Sequence, residues 1–270
     1  VRTLTFIVLV LLLSVAIAHG EDNLFNSATA IKDEFFRLGA ETALLGETAF
    51  ANGGQGLAIT LGVVGATGLT YVFDGDIRTA AHKGKGRTGD RFADAGSLLG
   101  NPFLQLGLAA AVYGGGVVAE APNWRETGEM LGEALVLADA AALLMKEAIG
   151  RARPSVAGDK GDFAPFGFKG GHDSLPSMHT ASSFATAAVL AAGADGLPAK
   201  IGWYSAAAFV GLSRLYQDKH WASDVLLGAA IGELCGRVVT RYHGVKKGSR
   251  IAIVPQLSGD SASLALTGRW

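Results

Sequence analysis

Three polar stretches, each set at the boundary of an apolar segment, constrain the fold of this chain more than any other feature. They are Lys146-Glu147-Ala148-Ile149-Gly150-Arg151-Ala152-Arg153-Pro154, Pro176-Ser177-Met178-His179, and Ser213-Arg214 followed by His220 and Asp224. Charges scattered for solubility have no reason to fall three times on segment ends. Segment ends that carry cations, two histidines and a carboxylate call for a helical bundle whose termini converge on one anion-sized site. That mixture suits phosphoryl chemistry, in which fixed positive charge meets a nucleophile or a proton donor.

At 270 residues the chain has enough apolar content for a sizeable core. Ala and Leu dominate the apolar runs, and the 38 glycines exceed ordinary usage. A formal charge of -1 gives no global support for nucleic-acid binding, and none is expected as a partner. The cations concentrate at 83–91, 146–153 and 237–250. Cys235 stands alone, which excludes an intrachain disulfide.

Val1-Arg2-Thr3 precedes an apolar run from Leu4 to Ala18, with small residues at Ala16 and Ala18. This reads as a signal peptide, with an uncleaved anchor helix as the alternative, and it directs the remainder through or to a membrane. Residues 24–50 show a broken helical period and read as one or two surface helices. A helix over about 56–72 is expected to stop at Asp74-Gly75-Asp76, leaving 76–100 as loop with a short helix. Further helices are expected near 103–119, 126–149, 179–193, 199–212 and 221–241. Pro102 suits a first turn, and Pro154 stops the 126–149 segment from running on. Two short runs, Arg250–Pro255 and Ser263–Thr267, read as strands of a C-terminal hairpin that must pack on the bundle or on a membrane face. The fold class expected is all-α, one helical bundle with a short C-terminal β-hairpin. Its divisions are a leader or anchor at 1–18, a helical extension at 19–56, the bundle at 57–245 and the hairpin at 246–270.

A spanning helix needs roughly 20 apolar residues. The stretches 57–73 and 103–119 are shorter, and the segment near 126–149 carries Glu126, Glu129, Glu133 and Asp139. If the six middle segments all crossed, the positive-inside rule would put 19–56 in the cytoplasm, against the demand of a signal peptide. An exported bundle lying in solution or against a membrane face is therefore expected, with an integral membrane protein as its rival.

His220 and Asp224 lie four apart on one helix face, so the carboxylate can fix the imidazole tautomer and raise its basicity. Structural pairing is the plain alternative. Arg214 makes the chemical reading stronger, because arginine clamps phosphate oxygens in a bidentate manner. Ser177 precedes a helix and could cap it, whereas His179 in the first turn serves no cap and could protonate a leaving alkoxide. Lys146 and Arg153 flank a helix end, where they could also complement the helix dipole. Arg151 is expected to face solvent. Asp159, Asp162, His172 and Asp173 read as loop structure. No His-Glu-x-x-His is present, and no metal or other cofactor is expected.

These residues resemble the type 2 phosphatidic acid phosphatase superfamily, which also includes bacterial acid phosphatases and vanadium haloperoxidases. The pattern Lys, six residues, Arg-Pro is met by Lys146, Arg153 and Pro154. Pro-Ser-Gly-His is met by Pro176, Ser177 and His179, with Met178 in place of the glycine. Ser-Arg, five residues, His, three residues, Asp is met by Ser213, Arg214, His220 and Asp224. The resemblance covers roughly 100 to 241. It implies that His220 is the nucleophile, that Asp224 orients it, and that His179 serves as acid and then base. It also implies that Lys146, Arg153, Ser177, Arg214 and the N–H of Met178 hold the phosphoryl oxygens without a metal. The expected activity is a phosphatase acting on phosphomonoesters, lipid phosphates or diphosphates through a phosphohistidine, the substrate being its partner. A vanadate-dependent haloperoxidase and a non-catalytic phosphate-binding module are the alternatives.

Overall fold

A computed structural model describes residues 22–50, 54–247, 252–258 and 261–267. The leader or anchor expected at 1–18 lies outside them. Eight α-helices are described: α1 Ala28–Phe50, α2 Gln55–Lys83, α3 Arg87–Leu99, α4 Pro102–Val118, α5 Pro122–Ile149, α6 Met178–Ala192, α7 Leu197–Tyr216 and α8 Ala222–Lys247. Pro102, Pro122 and Pro198 sit in first turns, where the missing N–H has no intrahelical acceptor to lose. Asn101 caps α4 by accepting the Leu104 N–H at 3.1 Å. At the end of α5, Gly150 takes φ 60°, and an added Cβ there would lie 2.0 Å from the Ala164 carbonyl oxygen. Only glycine fits that turn, which swings the chain from Lys146 toward Arg153.

The core is built from small side chains, which lets helix axes approach closely. Ala134, Ala138 and Ala142 of α5 meet Ala181, Ala185 and Val189 of α6 and Cys235 and Val239 of α8. Gly228, Gly232 and Gly236, four apart on α8, face α6. A Cβ on Gly232 would fall 2.1 Å from the Ala181 carbonyl oxygen, and one on Gly228 would fall 2.5 Å from that of Ser177. Spacing of i, i+4 places these glycines on one stripe, so the backbones touch and the first turns of α6 and α8 are fixed together.

Two expectations are corrected here. First, α2 does not stop at Asp74-Gly75-Asp76 but runs unbroken to Lys83. A glycine costs a helix only about 1 kcal/mol, and Asp74 is buried in polar contacts that outweigh it. Second, the bundle does not incorporate a hairpin: the fold that carries the polar clusters is all-α and ends with α8. Segments Ala252–Ser258 and Ser261–Thr267 pair antiparallel with each other, from Ala252↔Thr267 to Ser258↔Ser261, and form a two-stranded sheet of their own. Two strands can bury no core, and no described helix makes more than marginal contact with them. They add no layer to the fold.

Large apolar side chains on α2 point outward. Ile59 is 68% exposed and Leu69 63%, and only 6% of the most apolar window of the helix is buried. By length and composition α2 can cross a membrane. The bent pair α3 and α4 passes the same test if taken as one broken span.

Candidate active site

The C-terminal ends of α5 and α7 and the N-terminal ends of α6 and α8 converge as the sequence requires. Lys146, Arg153, Met178, His179, Arg214 and His220 line one cavity of about 210 Å³, together with Leu143, Glu147 and Asp173. Residues distant in sequence by as much as 77 positions, 143 to 220, thus face a single small space.

His220 lies in the short turn between α7 and α8, and its side chain is 3% exposed. Its Nδ1 donates to the Ser174 carbonyl oxygen at 2.7 Å, whereas Asp224 Oδ2 lies 3.8 Å away. The direct tautomer-fixing partner is therefore a backbone carbonyl, and the carboxylate acts one shell further out. With Nδ1 carrying the proton, Nε2 keeps its lone pair. Burial, reinforced by Lys146 and Arg153 and opposed by Asp224, pushes His220 down to about 4, so the neutral ring prevails at ordinary pH.

Asp224 is fully buried at the third position of α8. Its Oδ2 accepts the Trp221 N–H at 2.7 Å and the Ser174 hydroxyl at 2.5 Å, and its Oδ1 accepts from Arg151 at 2.6 Å. Reaching back to the N–H before the helix is one half of a capping box. The carboxylate therefore ties the helix start to the strand of chain that holds His220. Burial alone would raise its pKa, but nearby His220, the Arg151 charge and the Ser174 hydroxyl hold it below the ordinary range.

Arg151, expected at the surface, is wholly buried and is the functional-site residue that sequence reasoning missed. It donates to Asp224 and to Asp74 at 2.8 Å, to the Ser223 hydroxyl at 2.7 Å and to the Lys160 carbonyl at 3.1 Å. Tyr71, Phe163 and Trp221 surround its guanidinium, with ring centroids 4.9, 5.7 and 5.2 Å away. Asp74 completes the layer by accepting the Ser223 N–H at 2.9 Å. The polar end of α2 pins both loops as well: Arg78 donates to Asp218 at 3.0 Å and to the Pro154 carbonyl at 2.7 Å.

The cations that face the cavity are differently placed. Lys146 donates to the Asp173 carbonyl oxygen, and burial lowers it to about 8. Arg153 pairs with the Asp173 carboxylate, its Nε 2.6 Å from Oδ1. Arg214 donates to Gln217, and its buried Nε has no hydrogen-bond partner. A buried arginine donor left unmatched on the wall of a cationic cavity is a place for an anion oxygen. His179, in the first turn of α6, is lowered to about 3 by burial and then by Arg214, His220, Lys146 and Arg153.

Ser177 does not reach this space. It is buried behind the wall, its hydroxyl accepting from Thr180 at 2.9 Å and its N–H donating to the Asp224 carbonyl at 2.9 Å. Its side chain makes no cap to α6 either. Met178 does line the cavity and packs on the core with its thioether chain, so the methionine is accommodated where the family pattern has glycine.

A family model described as the PAP2 superfamily matches residues 130–247, which include all three motifs. A lipid A 1-phosphatase of Porphyromonas gingivalis is 32% identical over 185 residues, 66% of this chain and 37% of that protein. A lipid A 1-phosphatase of Rhizobium johnstonii is 37% identical over 94 residues, 34% of this chain and 37% of that protein. The chain thus spans well under half the length of these relatives. Among solved structures, the crystal structure of Aquifex aeolicus LpxE superposes with a TM-score of 0.50 at 24% identity, over 62% of this chain and 94% of that one. That likeness concerns the fold. Motifs, family match and fold agree, and residues 130–247 of this chain match the PAP2 (type 2 phosphatidic acid phosphatase) superfamily.

Proposed function

We propose that this protein hydrolyses a phosphate ester carried on a membrane lipid, through a phosphohistidine on His220 and with no metal in the reaction. The observation that carries the reading is the geometry of His220. Its Nδ1 is committed to the Ser174 carbonyl, and the ring lines a cavity walled by three cations. The remaining lone pair on Nε2 is the nucleophile. It attacks phosphorus while Lys146, Arg153 and Arg214 hold the phosphoryl oxygens, and the bond to the leaving oxygen breaks as the P–N bond forms.

His179 supplies the proton to the departing alkoxide. Burial first, and then the surrounding cations, keep it neutral before substrate enters. A bound phosphate offsets those charges and delivers the proton with it when it enters as the monoanion. In the second half, neutral His179 takes a proton from water as that water attacks phosphorus and the P–N bond breaks. Phosphate takes that proton back from His179 and leaves as the monoanion, so both histidines return to their neutral starting forms. Asp224 stabilises the charge that develops on His220, acting across the 3.8 Å gap and through Ser174.

The outward apolar face of α2 and the lipid A 1-phosphatase relatives support a lipid-borne phosphate, with lipid A 1-phosphate the first substrate to test. That face also supports membrane association; the apolar run from Leu4 to Ala18 supports export, which would put the cavity end of the bundle on the external side.

The test measures phosphate release from lipid A, dioleoyl phosphatidic acid and a chromogenic phosphomonoester, with chelator present, in wild type and His220→Ala. Chelator-resistant release from at least one lipid is expected, falling at least about 1000-fold in the variant. Release from the chromogenic ester alone would replace the lipid reading by that of a soluble-ester phosphatase. Phosphate binding without turnover of any substrate would make the chain a binding module.

A further inference from the structure

The end of the bundle remote from the cavity holds a second buried polar cluster with the opposite charge. Glu34, Arg37 and Glu41 lie on one face of α1. Glu126, Glu129 and Glu133 lie on one face of α5, and His243 projects from α8. The thirteen residues from Glu133 to Lys146 along α5 correspond to roughly 20 Å, so this cluster and the phosphate cavity are separate.

Among the described residues, five carboxylates here face two guanidinium groups, Arg37 and Arg125. Arg37 is spread over three of them, at 3.3 Å from Glu34, 3.0 Å from Glu129 and 3.4 Å from Glu133. Glu41 has no guanidinium partner within ion-pair distance. It is 0% exposed, and neither of its carboxylate oxygens has a hydrogen-bond partner. An ionised carboxylate in that position is costly without a neutralising charge. One ligand atom each from Glu41, Glu133 and His243 lies within 4.8 Å of the others. His243 Nε2 stands 2.6 Å from Glu133 and 3.9 Å from Glu41. Glu126 lies 3.7 Å from the other ring nitrogen, Nδ1, on the side from which a carboxylate orients a ligating imidazole.

We propose that Glu41, Glu133 and His243 form a zinc-type divalent-cation site that ties α1 to α5 and α8. Two carboxylates balance the double charge, and a neutral imidazole supplies the nitrogen that a borderline ion favours. Calcium would want six to eight oxygens, and magnesium an octahedron largely of oxygen and water. Three protein ligands leave a fourth position for water. The ion contributes stability and the docking of α1, not chemistry at the phosphate cavity.

The test uses the full chain in detergent, stripped with chelator, gel-filtered and titrated with zinc chloride, with magnesium and calcium chloride in parallel. Metal content is read by mass spectrometry and unfolding by thermal melt. About one zinc per chain should survive gel filtration, and a roughly 100-fold excess over its dissociation constant should raise Tm by about 5 °C. Glu41→Gln and His243→Ala should each lose the bound zinc and the Tm rise. Phosphate release measured well below unfolding should stay unchanged in both. Glu41→Gln removes a buried charge while keeping shape, so its metal-free form should be no less stable than metal-free wild type. The proposal is overturned if wild type retains no zinc and its Tm does not move. It is equally overturned if magnesium or calcium alone raises Tm, or if both variants keep the zinc and the shift.

Discussion

The same two helices, α5 and α8, carry buried charge at both ends, and the two ends solve the problem in different ways. At the cavity end the negative groups are saturated: Asp224 accepts from Trp221, Ser174 and Arg151, and Asp74 from Ser223 and Arg151. What is left over there is positive, in Lys146, Arg153 and Arg214 around open space. At the far end the positive groups are engaged, Arg37 serving three glutamates and Arg125 sharing one of them, and what is left over among the described residues is negative, at Glu41. Buried charge left unmatched by the protein marks where something else belongs. By sign, that is an anion at one end and a cation at the other.

The difference can be broken most severely at Arg151. Replacing it by Met leaves Asp74 and Asp224 buried and without their cation. We expect a loss of about 3–5 kcal/mol in stability, read as a large drop in melting temperature, with activity collapsing as His220 loses its frame. A melt equal to wild type would show that the Asp74–Arg151–Asp224 layer is not what holds the site. Next in size is Gly232→Val, which forces a side chain against the Ala181 carbonyl oxygen now 2.1 Å from any Cβ. Separation of α6 from α8 should cost about 1–3 kcal/mol and lower kcat more than it raises KM, because the His179 and His220 turns ride on those helices. Unchanged kcat would detach the helix contact from the chemistry.

Smallest and sharpest is the pH profile of kcat/KM. His220 must be neutral to attack, so activity should fall as pH drops through about 4. The substrate monoanion is lost as pH rises through about 6, and because Lys146 must be charged to hold phosphate, activity should fall more steeply as pH rises through about 8. Lys146→Arg should carry the alkaline limb upward while leaving the acid limb in place. A profile whose alkaline limb ignores that substitution would separate Lys146 from binding.

How much of this was legible in the sequence follows from how local each interaction is. Lys146, Arg153, His179, Arg214 and His220 announce themselves because phosphoryl chemistry needs those side chains near segment ends, and the helix pattern shows where ends fall. Arg151 gives no such sign. Its partners are Asp74, 77 positions earlier, and Asp224, 73 later, and only the assembled bundle brings them together. The partner of His220 was invisible for another reason: it is a backbone carbonyl, which every residue owns. Asp74-Gly75-Asp76 read as a helix stop because local propensity was the only information there, and tertiary contacts overrode it. The C-terminal hairpin expected as part of the fold does not join the bundle, because an alternating pattern can mark strands without showing what they would pack on.

The most direct measurement is to quench turnover with a lipid phosphate substrate under alkaline, denaturing conditions and map the peptide spanning His220 by mass spectrometry. A phosphoryl group on His220, present in wild type and in larger amount in His179→Ala, where water activation is slowed, is the result this account predicts. Active enzyme with no phosphoryl group on His220 in either protein, or one on another residue, would contradict it.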